Sequence, residues 1–181
     1  MKKTLISLTL LSLSFSAAHA LPNGAPICSV EADFSNITGM GSRTRNQTPG
    51  SYIITAPATY TPGETIDITV SGPQFTGIMF AVVDDNDNNV GTFSPDVGTN
   101  SCDGASMAIT HSSSFGNQMS RTLEWTAPNS DVGTVYVEGY VLAGARGDQQ
   151  NQEFFRLVRD SGAAVIEGPP DVIFEDGFDN P

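Results

Sequence analysis

The sequence predicts an all-β protein, an immunoglobulin-like sandwich of about eight strands, and three observations carry that prediction. Between Ser51 and Val158, short β-prone runs alternate with clusters of Pro, Gly, Asn and Asp, the punctuation of a sandwich or barrel. No stretch shows a helical period of useful length. The density, about eight strands in about 110 residues, is close to that of immunoglobulin-like domains. With 39% hydrophobic residues before its 18 glycines are counted, the chain can bury a core and is not disordered as a whole.

Tyr52 to Thr55 is the first strand, ended by Ala56-Pro57. The turn Thr61-Pro62-Gly63 starts the next, in which Ile66, Ile68 and Val70 point inward while Thr65, Asp67 and Thr69 meet water; side chains of successive strand residues point to opposite faces. Ile78 to Val83 is an unbroken apolar run, as expected of a central strand covered on both sides. The polar stretch Asp84 to Asn89 turns the chain into Val90-Gly91-Thr92-Phe93, and the two runs read as a hairpin. Met107, Ile109 and His111 share a face in the following strand, and Met119, Leu123 and Trp125 share one in the next, which Thr126-Ala127-Pro128 stops. Val135, Val137 and Val141 alternate with Tyr136, Glu138 and Tyr140 in what reads as the longest strand, and Phe154 to Val158 reads as the last. Trp125, the single tryptophan, fits a core anchor between the sheets better than an exposed sugar-stacking ring, because it shares its parity with Leu123 and Met119. There is no internal repeat.

The start of the chain has the form of a secretory signal peptide. Met1-Lys2-Lys3 precedes an apolar run from Leu5 to Phe15 and the motif Ala18-His19-Ala20, so cleavage is expected after Ala20. The run is too short to span a bilayer, which takes about 20 apolar residues. Leu21 follows the cleavage point instead of a lipoprotein cysteine. The expectation is an exported protein of a bacterium, secreted or periplasmic, with residues 1–20 as leader, 21–167 as the sandwich domain and 168–181 as an acidic tail. Gly168-Pro169-Pro170 reads as the linker to that tail. Beyond it, four acids alternate with Val172, Ile173, Phe174 and Phe178, a pattern of either a solvated tail or a docking strand or export signal.

The whole chain has 20 acidic and 8 basic residues. Both lysines lie in the leader, so six arginines face 20 acids in the mature chain, a net charge of −14. That balance excludes a nucleic-acid partner, which needs clustered Lys and Arg against phosphate, and disfavours an anionic membrane surface. Cys28 and Cys102 are the only cysteines. Export places them where disulfides persist, and one bond between them would close a loop of about 75 residues, worth roughly 4 kcal/mol by chain entropy. The other reading is a pair of free thiols acting as metal ligands, but with His111 as the single histidine after the leader there is no Cys/His cluster of zinc spacing.

Three features are candidate sites. In Asp84-Asp85-Asn86-Asp87-Asn88-Asn89, oxygen ligands crowd a turn, and Asp85, Asp87, Asn89 and Asp96 stand at positions one, three, five and twelve of a calcium loop. Val90 occupies the place of that loop's glycine and Asp96 that of its bidentate glutamate, so calcium is a candidate cofactor on a site of Asp84, Asp85, Asp87, Asn89 and Asp96, beside the plain reading of a turn stabilised by Asp and Asn. His111 with Ser112, Ser113 and Ser114 suggests a nucleophile and its base, yet no G-x-S-x-G elbow is present, and adjacent strand residues point to opposite faces. Arg43 and Arg45, in the glycine-rich stretch Gly39 to Gly50, form the only basic patch before the sandwich and are read as a loop able to grip an acidic glycan or as plain surface. Asn36-Ile37-Thr38 is a glycosylation sequon by pattern.

The order of Gly24-Ala25-Pro26, Cys28, Tyr60-Thr61-Pro62-Gly63, Ile66 to Gly72, Phe75-Thr76-Gly77-Ile78-Met79, Val90 to Phe93, Cys102, Thr110-His111-Ser112-Ser113, Trp125-Thr126-Ala127-Pro128 and Gly133-Thr134-Val135 resembles the Reeler (reelin N-terminal) domain from about Leu21 to Gly144. The segment after Gly144 fits that pattern poorly. The resemblance implies an immunoglobulin-like sandwich with a Cys28–Cys102 bridge, used in matrix, adhesion and defence proteins for binding and not for catalysis. The functional expectation is thus an exported, non-catalytic recognition module, not an enzyme, contacting an unidentified protein or glycan through its loops. The alternative is a structural protein that docks through its tail or an edge strand.

Overall fold

Strand β3, Thr65–Val83, belongs to both layers of the protein, and the fold is most simply built outward from it. The computed structural model describes residues 24, 25, 28, 30, 43–102, 104–113, 115–148 and 151–170; the leader, the sequon at Asn36 and the tail beyond Pro170 lie outside them. The remaining strands are β1 (Arg45–Asn46), β2 (Ile53–Thr55), β4 (Thr92–Ser94), β5 (Thr99–Ser101), β6 (Ala108–His111), β7 (Gln118–Thr126), β8 (Val135–Ala143), β9 (Glu153–Leu157) and β10 (Ala164–Ile166). No helix occurs among the described residues, so none there is long and apolar enough to cross a membrane.

The two runs read as separate strands are one strand of 19 residues. Its register shifts between Ser71 and Phe75 and again between Phe75 and Gly77, around Gly72-Pro73; proline cannot donate to a ladder and glycine packs no side chain, so both mark bulges. Before this bend β3 pairs with β2 and β7; after it, with β6 and β8. The ladders make one continuous ten-stranded sheet that this bend divides into two halves, β2-β3-β7-β4 and β5-β6-β3-β8-β9-β1, with β10 also on β8. Among the described strands the pairings are antiparallel except β1 with β9.

The main core fills the space between the sheets. Ile66, Ile68 and Val70 enter it as their alternation predicts, beside Phe75, Ile78, Phe80, Val82, Leu123, Val135, Val137 and Val141. On the wet side Thr65 bonds Thr126 at 2.8 Å and Thr69 bonds Thr122 at 2.9 Å through their hydroxyls. Trp125 is completely buried, its Nε1 donating to the Val90 carbonyl at 3.1 Å and its ring meeting Tyr60 edge-on at 6.0 Å.

Several expectations require correction. Val90 to Phe93 does not fold back as a hairpin on Ile78 to Val83: among the described residues the backbone pairing there consists of the Val83–Asn89 bridge and the Val90 N–H to Val82 carbonyl bond. Gly91, at φ +65° and so close to Trp125 that a Cβ would lie 2.5 Å from the indole, turns the chain into the other sheet, where β4 pairs with β7. Met119 is exposed, because the β7 ladder skips across the β3 bend from Ser71↔Ser120 to Phe75↔Gln118. β8 is not the longest strand, and β9 is followed by β10, so Phe154 to Val158 is not the last.

The unbroken apolar run Ile78 to Val83 is buried on both faces. Its second cover is not another sheet. Met79, Ala81, Val83, Ala108, Tyr140, Leu142 and Phe154 form a separate apolar layer on the outer face of the β6-β3-β8-β9 sheet, closed by Val30. The residues that alternate with the β8 valines are therefore not a wet face: Tyr140 and Glu138 are both buried.

Candidate functional site

The Asp84 to Asn89 turn is a built structure. The Asp84 carboxylate accepts from the Asn86 and Asn88 N–H groups at 2.8 and 2.9 Å and from the Asn88 side-chain amide at 3.1 Å. Asp87, at φ +62°, donates its N–H back to the Asp84 carbonyl at 3.1 Å. Short carboxylate and amide side chains bond the local backbone and tolerate left-handed angles, which is why this composition makes a tight tip between strands.

The tip is braced from 72 residues away. The Arg159 guanidinium donates to the Asp84 carbonyl at 2.8 Å and to the Asp87 carboxylate at 2.9 Å, and it lies 4.0 Å over the Tyr136 ring. Tyr136 in turn donates its hydroxyl to Asp85 at 3.1 Å. Arg159 is itself placed by its N–H, which donates to the buried Glu138 carboxylate at 2.7 Å. A planar guanidinium suits this work, since it can stack and fork its donors at once. The Asp87–Arg159 pair is partly exposed and contributes little alone, on the order of 0.2–1 kcal/mol.

These contacts set the electrostatics of the tip. Hydrogen bonds from the Asn88 N–H and side-chain amide, with the Asn86 N–H and nearby Arg159, hold the Asp84 carboxyl below the ordinary aspartate range. The bond to Asp85 raises the Tyr136 phenol above its ordinary value and keeps it protonated. For Asp84 the sign follows from linkage: a carboxylate with a lowered folded pKa contributes stability above its unfolded value, about 3.9, and loses it as pH falls through the folded value. Urea midpoints measured from pH 5 to 2 should fall more steeply in the wild-type protein than in Asp84→Ala. Equal slopes would place the acid sensitivity at other carboxylates.

Asp96 is engaged elsewhere. Its carboxylate accepts from the Thr99 hydroxyl at 2.8 Å and pairs with Arg121, which also donates to the Val97 carbonyl at 3.1 Å and lies over the Phe115 ring. The five candidate calcium ligands are thus divided between two arginine-braced loops, with Asn89 bridging to Val83. Among the described residues no group of three or more His, Cys, Asp or Glu side chains is placed to hold a metal ion. Beside Asp96 lies an open groove of about 360 Å³ lined by Asp67, Ser94, Thr122 and Glu124, in which Asp67 and Glu124 are direct cross-strand partners.

His111 is buried at the end of β6, its Nδ1 3.2 Å from the Ile78 carbonyl and its ring against Phe115. A carbonyl only accepts, so this nitrogen carries the proton. The Ser112 N–H is bonded to the Gly98 carbonyl and the Ser113 carbonyl to Arg146, an arrangement that ties loops together. Arg43 and Arg45 do not form a loose basic loop: Arg45 lies in β1 beside Phe154, and Arg43 is buried, which lowers its pKa. Cys28 and Cys102 form a disulfide with Cα atoms 5.4 Å apart.

Arg159, Tyr136 and Glu138 organise the tip, and local sequence did not point to them. The available signal was scarcity: with six arginines outside the leader, each one opposite an acidic turn is a candidate brace.

Comparison with known proteins gives a consistent picture. A family model described as the Reeler domain matches residues 36–146. The crystal structure of the human F-spondin reeler domain superposes with a TM-score of 0.57 at 17% identity, covering 71% of this chain and 96% of that one. A second structure, of the Reelin-N domain of F-spondin, gives 0.56 at 17% identity over 70% and 92%. These likenesses establish the immunoglobulin-like fold. No curated protein sequence matches the chain.

Proposed function

The chain belongs to the Reeler domain family, whose domains are extracellular and non-enzymatic, and from that premise we propose that it is an exported recognition module contacting a protein or glycan partner through its loops. The observation that carries this reading is the braced Asp84 to Asn89 tip: an exposed acidic loop whose backbone is fixed by Arg159 and Tyr136. A loop ordered in advance has little conformational entropy left to lose on binding, which favours affinity. Its acidity suits a cationic or hydroxyl-rich partner and not a nucleic acid. The disulfide fits an oxidising compartment, and secretion or a periplasmic location of the kind the leader suggests is part of the proposal, as are the domain limits 21–167 and the tail.

The test is a glycan array and crosslinking to proteins of the producing cells, run with the wild type and Arg159→Ala. The variant should keep its melting temperature within a few degrees and lose most of its binding, because the tip is released while both cores stay intact. Binding unchanged in the variant would exclude the tip. Hydrolytic turnover by pure protein, abolished by one polar substitution, would exclude the non-catalytic reading altogether.

A structural role is the second reading, and the sheet edges favour it. Among the described residues β2, β4 and β5 each pair with one neighbour, and the other side of each is where a partner or the tail would add as a strand. Deletion of residues 171–181 with no change in association or export would remove the tail from that reading.

A further inference from the structure

Gly24, Ala25, Cys28 and Val30 form a strap on the outer sheet face, and their attachments form a short series. The Ala25 N–H donates to the Thr110 hydroxyl at 2.8 Å. Gly24 sits so close to Thr110 that a Cβ would lie 2.9 Å from its methyl group. Cys28 is bonded to Cys102. Val30 is buried among Met79, Ala81, Tyr140, Leu142 and Phe154, and its carbonyl accepts from the Tyr140 hydroxyl and, at 3.4 Å, from Arg156.

None of these strap residues enters the main core, which is built from residues 52–166. The apolar layer that the strap closes is a separate cluster on the opposite side of β3 and β8. Loss of the strap therefore removes cover from one sheet face without taking a side chain out of the space between the sheets. Elements with few buried contacts open at lower free energy than the body they lie on. Val30 is the one buried apolar side chain among the described strap residues, and among the attachments those residues make the covalent bond is the strongest.

We propose that the Cys28–Cys102 disulfide is a redox latch: reduction releases the strap and exposes the Met79, Ala81, Tyr140 and Leu142 face while the sandwich remains folded. The step is a thiol–disulfide exchange. A dithiol reductant gives up two electrons and two protons, the sulfur–sulfur bond breaks to leave two cysteine thiols, and the reductant closes to its own disulfide.

The experiment starts from the folded, oxidised protein at a temperature well below its melting point. Dithiothreitol is titrated in while three quantities are followed: free thiols, exchange of the Ala25 amide proton and emission from Trp125. The expected result is two thiols per chain, loss of protection at Ala25 and unchanged Trp125 emission, with an apolar dye binding only the reduced form. A red shift of Trp125 together with the loss at Ala25 would overturn the proposal, since the strap would then be inseparable from the sandwich. So would retained protection at Ala25 after both thiols have appeared, or a bond that stays intact throughout the titration. The Cys28→Ser variant should show the open state without reductant, and a variant that fails to fold counts against the latch.

Discussion

Trp125→Ala should cost about 3–5 kcal/mol, the range for a buried aromatic truncated to alanine, and so a large share, at least about a fifth, of the stability of a domain whose total lies near 5–15 kcal/mol. The indole is completely buried at the point where Tyr60, β4 and β7 converge, and three consequences add. The removed ring forfeits its apolar burial. The cavity cannot close readily, because β7 is held on both sides by β3 and β4. The Val90 carbonyl loses its donor, and Val90-Gly91 is where the chain crosses from one sheet to the other. Trp125→Phe separates these effects, since it keeps part of the volume and loses the hydrogen bond, and should fall between wild type and alanine. Urea unfolding followed by far-ultraviolet circular dichroism gives the comparison, with an unchanged denaturant slope expected. A loss below about 1 kcal/mol for alanine, no more than an average substitution, would mean that the Trp125 region is not the packed centre described above.

What the sequence disclosed and what it withheld divide along physical lines. Ile66, Ile68 and Val70 were legible because one face of their strand is wet, and alternation records a single water boundary. Ile78 to Val83 was legible as a strand covered twice, but its second cover was not, because a run buried on both faces carries no mark of what buries it. Here the cover is a strap joined through Cys28, some 50 residues earlier in the chain. The same holds for Glu138 and Tyr140, whose alternation with the β8 valines carries no sign that both are buried. β4 was misassigned because a polar turn between two apolar runs is the local signature of a hairpin, and the decisive feature, the fit of Gly91 against Trp125, is tertiary. β1 and β10 have two and three residues and carry too little pattern to register. At the candidate site the acidic tip was visible as composition, while its brace depends on Arg159 and Tyr136, which only the fold brings near.

Replacing both cysteines, Cys28→Ser with Cys102→Ser, should lower the free energy of unfolding by about 4 kcal/mol if the chain-entropy model holds for a loop with a sequence separation of 74. That model assigns the loss to the unfolded state, which gains freedom when the loop is no longer closed. The strap predicts a second, native-state component: Val30 leaves its site and the outer layer meets water before global unfolding begins. A double-mutant cycle with Val30→Ala tells the two apart. With the disulfide intact, Val30→Ala should cost about 1–2 kcal/mol for the lost methyl burial. Without the disulfide it should cost close to nothing, because the side chain has already been released. Sites that share a structural event are non-additive and independent sites add to within about 0.3–0.5 kcal/mol, so a coupling near the full cost of Val30→Ala signals a strap held by the bond. Simple additivity in urea unfolding would instead leave the disulfide acting on the unfolded chain alone, with the strap seated whether or not Cys28 is tethered.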